Sequence, residues 1–108
     1  MSMFGLGKKR AREKWISLVF AQPVMHPEQI TDARLHDATE RQVVRRREII
    51  LESIEIILKT KNEDTRQGRI ELCRKHYAFL QEIKPFADRK QLSMIRECET
   101  ALRNCDVI

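Results

Sequence analysis

From Glu28 to Gln67 the chain contains neither glycine nor proline, and inside that window Arg41–Lys59, RQVVRRREIILESIEIILK, is its densest apolar stretch. Projected at about 100° per residue, Ile50, Ile54 and Ile57 fall on one line. Leu51 and Leu58 lie to one side of it, Ile49 and Ile56 to the other. Glu52, Glu55 and Lys59 share the remaining strip. An apolar arc this wide requires more than one packing neighbour. The isoleucines and the alternation in Ser53-Ile54-Glu55-Ile56 would also suit a buried strand. Length and the helical repeat of the charges decide for a helix. The spacing predicts one long central helix over about 28–61. Pro27 suits its first turn, Glu28 the positive end of its dipole, and Thr31 or Asp32 is an alternative cap.

The flanking segments read as further helices. Asn62-Glu63-Asp64-Thr65 is a tight turn in which Asn62 or Asp64 caps a helix over about 63–84. So short a connection makes this helix an antiparallel neighbour of the central one. Ile70, Cys73, Tyr77 and Leu80 share one line, and Leu72, His76, Phe79 and Ile83 the adjacent one. Gly68 marks either a close helix approach or a start nearer Arg69. Pro85 breaks the pattern, and Asp88 caps a last helix over about 88–104 that buries Leu92, Ile95, Cys98, Leu102 and Cys105. Arg96, Glu97, Glu99 and Arg103 face water, and the tail from Asp106 frays. Upstream, a helix over about 8–21 ends at Pro23 and docks through Ala11, Trp15, Leu18 and Val19. The fold class is therefore all-α. It is a three to four helix bundle on the long central helix, with an antiparallel helical hairpin formed by 63–84 and 88–104. Residues 1–14 form a basic N-terminal arm, and 15–108 a single helical domain.

Charge and cysteine usage narrow the function. The arm carries Lys8, Lys9, Arg10, Arg12 and Lys14 against Glu13, so most of the formal +5 charge is N-terminal and the rest is close to neutral. That weakens a nucleic-acid role for the folded part. The three cysteines follow no disulfide framework, which fits a reducing, cytoplasmic setting. Cys73-x-x-His76 resembles half a zinc site. However, Cys98 and Cys105 are about 10 Å apart along a helix, too far to share one ion. Residues 1–21 imitate a secretory signal, but the apolar run Trp15–Ala21 is short and holds a serine. No stretch approaches the ~20 apolar residues of a membrane span.

No phosphate loop, nucleophile elbow, metal pair or acid/base dyad is present, and the tetratricopeptide signature fails. No catalytic residue, cofactor, metal or small-molecule substrate is expected. The expected function is a small non-enzymatic helical interaction module. It pairs with itself as a dimer, or with another helical protein, because the arc Ile49–Leu58 exceeds what a small bundle covers. The residues singled out for interaction are Ile49, Ile56, Trp15, Lys8, Lys9 and Arg10. One alternative is a nucleic-acid accessory protein using the arm with Arg34, Arg41 and Arg45. Another is a membrane-peripheral protein anchored by residues 1–20, where Phe4, Leu6, Trp15, Ile16 and Phe20 interleave with cations. Arg47, set among apolar neighbours, should lay its stem on them and reach water at the bundle edge.

Overall fold

In this computed structural model the backbone is described from residue 3 and the side chains from residue 7. Among these residues the chain forms α1 (Met3–Val19), α2 (Asp32–Lys59), α3 (Glu63–Ile83) and α4 (Arg89–Asn104), with single 3₁₀ turns at Pro27–Gln29 and Lys84–Phe86. The expected all-α bundle on a long central helix is what the chain adopts.

The ends of the elements follow from local chemistry. The central helix starts at Asp32 rather than near 28. Ile30 is buried and extended, which isolates the Pro27 turn, and the Thr31 hydroxyl then accepts from the Arg34 N–H. At the other end Thr60 turns extended and the Asn62 side chain accepts from the Thr65 N–H, so Asn62 rather than Asp64 caps α3. Gly68 marks neither a close approach nor a late start: it is exposed within α3, and a Cβ there would meet nothing within 4 Å. Asp88 and Gln91 form a full capping box at α4, which satisfies the oxygen of the buried Gln91 side chain, while its Nε2 is buried without a partner. The tail does not fray. Asp106 adopts φ 61°, the Val107 and Asp106 amides return to the Leu102 and Arg103 carbonyls, and Val107 is buried. This is a Schellman-type end, in which an αL residue lets the last carbonyls find donors.

α1 differs from expectation at both ends. It begins by Met3, so the basic segment is helical, and it stops at Val19, ahead of Pro23. The Ser17 hydroxyl donates to the Lys14 carbonyl in that last turn. Phe20 and Val24 then fold back against the core. The docked face also shifts: Ile16 and Val19 are buried, Trp15 and Leu18 half-buried, and Ala11 exposed.

α2 is the common wall. It packs on α3 along one side and on α4 along another. The cross-links His36–Asp88, Glu40–Lys90 and Arg47–Glu97 climb both helices together, so α4 runs parallel to α2 and antiparallel to α3. Leu35, Val43, Ile50, Ile54 and Ile57 of α2 meet Cys73, Leu80 and Ile83 of α3 and Ile95, Cys98 and Leu102 of α4. Thr39, buried within this core, satisfies both roles of its hydroxyl: it donates to the Leu35 carbonyl and accepts from Trp15 Nε1. Arg47 does reach the bundle edge, where it clamps Glu97 through two bonds of 2.7 and 2.8 Å. Glu97 and Glu99 are therefore paired rather than simply wetted, Glu99 with Lys84 at 2.7 Å.

Candidate interaction surface

The groove between α2 and α3 has two sides, and they are covered unequally. On one side α4 closes it through Arg47–Glu97, Lys84–Glu99 and the bond from Arg74 to the Val107 carbonyl. On the other side α1 crosses only the base. Arg12 reaches the Ile30 carbonyl, Trp15 bonds Thr39 and stacks on Phe86 at 5.5 Å, and the Val19 carbonyl meets Gln42 at 3.5 Å. Past Gln42, towards the Asn62 turn, no third helix among the described residues makes a hydrogen bond or ion pair on that side.

This open face carries part of the apolar surplus. Ile49 and Ile56 of α2 and Leu72 of α3 are half-buried, yet lie outside the group of half-buried side chains that pack on the core. Ile49 and Ile56 are two turns apart on one side of α2, and Leu72 is a turn before His76 on the facing side of α3. Beside them is a cleft of about 410 Å³ lined by Gln42, Arg45, Arg46, Ile49, Lys75 and His76. None of the six is acidic.

Arg46 organises this cleft. Its guanidinium lies 3.5 Å from the Phe79 ring centroid and donates to His76 Nδ1 at 2.9 Å. Arginine is always charged and has no acceptor, so His76 Nδ1 must be unprotonated and the ring proton sits on Nε2. Arg46 Nε is buried without a partner. Burial first, and then the neighbouring Arg45, push the Arg46 pKa down. Burial, then Arg46, Lys75 and Arg45, push His76 down. Every charge acting on this pair is positive. The two clefts flanking Ile16 differ: in one, of about 530 Å³, Glu13 and Glu28 stand beside Lys9 and Arg12, and in the other, of about 440 Å³, the charged lining residue is Glu13.

The structure places the residues singled out from the sequence in three different settings. Ile49 and Ile56 share the open face. Trp15 is engaged internally with Thr39 and Phe86. Lys8, Lys9 and Arg10 are exposed on the first half of α1, apart from that face. Arg34 stacks over Phe20 at 5.6 Å. The side chains of Phe4 and Leu6 lie outside the described residues. Sequence reasoning missed Leu72, Lys75, His76 and above all Arg46. The available signal was the spacing of Arg46, Ile49 and Ser53, which sets that arginine on the arc's own flank.

Cys73 and Cys98 are buried, Cys105 is half-buried, and all three are free thiols. Among the described residues no group of three His, Cys, Asp or Glu side chains is placed to hold a metal, and no helix is long and apolar enough to cross a membrane. The chain matches no family of known proteins, no curated protein and no solved structure.

Proposed function

We propose that this protein is a non-enzymatic helical interaction module that associates with further copies of itself through the open α2–α3 face. The observation that carries the reading is the pairing of opposite surfaces on one helix. One flank of α2 offers Ile49 and Ile56 beside Arg45, Arg46 and Lys75. The outer flank offers exposed Glu48, Glu52 and Glu55, with the single cation Lys59 among them, and Leu58, which is 69% exposed. An acid-flanked apolar edge on one copy complements a cationic apolar groove on the next. Pairing the groove with itself about an axis through the cleft would oppose like charges instead. Complementary patches on different sides of a subunit make a heterologous contact, which extends to rings or chains rather than stopping at a twofold pair.

Light scattering over a concentration series tests this. The wild-type chain forms species larger than a monomer, and added salt weakens them because the contact is charge-assisted. A groove variant, Ile56→Glu with Lys75→Glu, and an edge variant, Glu55→Lys with Leu58→Lys, are each monomeric alone. Mixed, they form one discrete heterodimer, because one intact groove meets one intact edge. A wild-type chain that remains monomeric at millimolar concentration overturns the proposal. A heterodimer that fails to form while wild type associates moves the contact to another face.

A further inference from the structure

We propose that the cleft at Arg45, Arg46, Lys75 and His76 is a binding site for a phosphate-type dianion. The geometry within a single chain carries this, so it does not depend on self-association. A guanidinium partly withdrawn from water leaves any sealed N–H uncompensated unless an acceptor meets it. Arg46 is half-buried and holds one such N–H. One face rests on Phe79, one N–H is given to a neutral imidazole, and Nε has no partner. Around it stand further donors and no acceptor of full charge: the Arg45 guanidinium, the Lys75 ammonium and the Gln42 amide. Because His76 Nδ1 accepts from Arg46, the imidazole keeps its proton on Nε2 and is itself a donor.

The charge count selects the ligand class. Three permanent cations converge on one cleft with no carboxylate lining it. A single carboxylate leaves that excess largely in place, whereas a phosphoryl group supplies close to two negative charges and three acceptor oxygens at neutral pH. Arginine suits such an oxyanion because its planar fork meets two oxygens at once, and lysine adds a point charge. Ile49 and Phe79 border the charged groups with apolar surface, which strengthens the attraction relative to open water. The lowered pKa values of Arg46 and His76 agree with an unbalanced positive site. Bound dianion reverses that sign, so occupancy raises the His76 pKa.

The test follows the His76 imidazole by NMR during titration with inorganic phosphate, using dilute protein carrying Glu55→Lys and Leu58→Lys on the outer edge so that the chain stays monomeric with its groove intact. The expected result is a saturable shift with one site per chain and an upward move of the His76 pKa. Sodium chloride at matched ionic strength should not reproduce it. Arg45→Gln and Lys75→Gln change exposed side chains and should leave the thermal melt in place while weakening phosphate about tenfold each. Phenyl phosphate run beside inorganic phosphate tells an esterified group from the free ion, and acetate tests the carboxylate. A response that is linear in phosphate and matched by chloride, or acetate binding as tightly as phosphate, overturns the assignment. So does unchanged affinity in both variants.

Discussion

Two neighbouring isoleucines give the sharpest test of where this fold is closed and where it is open. Ile50 is 0% exposed in the centre of the core, whereas Ile49 is half-buried on the open α2–α3 face. Trimming Ile50 to alanine removes three carbon groups, a transfer loss of about 2.4 kcal/mol at ~0.8 kcal/mol each. The cavity left between α2 and its neighbours raises the total to about 3–4 kcal/mol, inside the usual range of roughly 2–5 for such changes. For a domain this size that lowers Tm by roughly 12–30 °C, at about 4–8 °C per kcal/mol. Ile49→Ala loses only about half the transfer term and leaves no enclosed cavity, so its cost is about 1 kcal/mol. Urea and thermal melts followed by far-UV circular dichroism on dilute protein measure both. A second series at high protein concentration adds a check, since association stabilises the folded chain and widens the Ile49→Ala deficit. Equal losses for the two variants in dilute solution would falsify the open face, because Ile49 would then be buried in the monomer. Small losses for both would remove Ile50 from the core.

Other consequences follow from single contacts. Gly68→Ala should stabilise the chain by about 1 kcal/mol, because the site is an exposed helix interior with free space, and a chemical melt reads this directly. The His36–Asp88 pair makes stability depend on pH in two windows. The hydrogen bond to Asp88 is the largest influence on His36 and raises its pKa above 6.5. Its contribution is thus complete below 6.5 and disappears as pH rises through the elevated folded value. Asp88 is held low, first by the Gln91 amide and then by His36, so its contribution is present above the ordinary carboxylate range and lost as pH falls through the folded value. Above pH 6.5 and before the thiols ionise, Tm should accordingly fall in the native chain relative to His36→Gln, in which the lowered His76 still contributes a rise through the same window. Among the thiols, Cys105 should be alkylated first in the folded protein. Cys73 and Cys98 are sealed in the core, and burial drives the Cys98 pKa up to about 11, so mass spectrometry should find both unmodified until denaturant is added.

What the sequence reveals of the fold follows from periodicity. Helices long enough to repeat, such as Ile50-Ile54-Ile57 and Ile95-Cys98-Leu102, declare their buried side, and short polar residues such as Asn62 and Asp88 declare their caps. Contacts between segments far apart in the chain are not legible in that way. Thr39 and Gln91 are polar letters on buried lines, and only the positions of Trp15 and the Asp88 amide give the Thr39 hydroxyl and the Gln91 oxygen their partners. By sequence Pro23 ends the first helix, yet the helix stops at Val19, where Phe20 turns in towards the core, a tertiary cause. The Schellman turn at Asp106 depends on an aspartate in a conformation that glycine adopts more readily, so the local residues gave no sign of it. Ile49 and Ile56 stood out from the sequence because an excess of apolar residues is a local property. Arg46 did not, because its partner ring and imidazole lie on another helix.

The triplet Arg45-Arg46-Arg47 shows how one helix distributes identical residues among different tasks. Turning about 100° per residue, α2 sends the three guanidinium groups to separate places. Arg47 meets a carboxylate of α4 and becomes a structural clamp. Arg46 meets an aromatic face and an imidazole of α3, and keeps its Nε without a partner. Arg45 reaches solvent at the rim of the same cleft. The difference lies in what faces each of them: α4 brings Glu97 to its side of the groove, and α3 brings no acid to the other. A helix that closed the second side with a carboxylate would turn Arg46 into a second clamp. Its absence leaves charge and apolar surface together on one face, the combination that both self-association and dianion binding require.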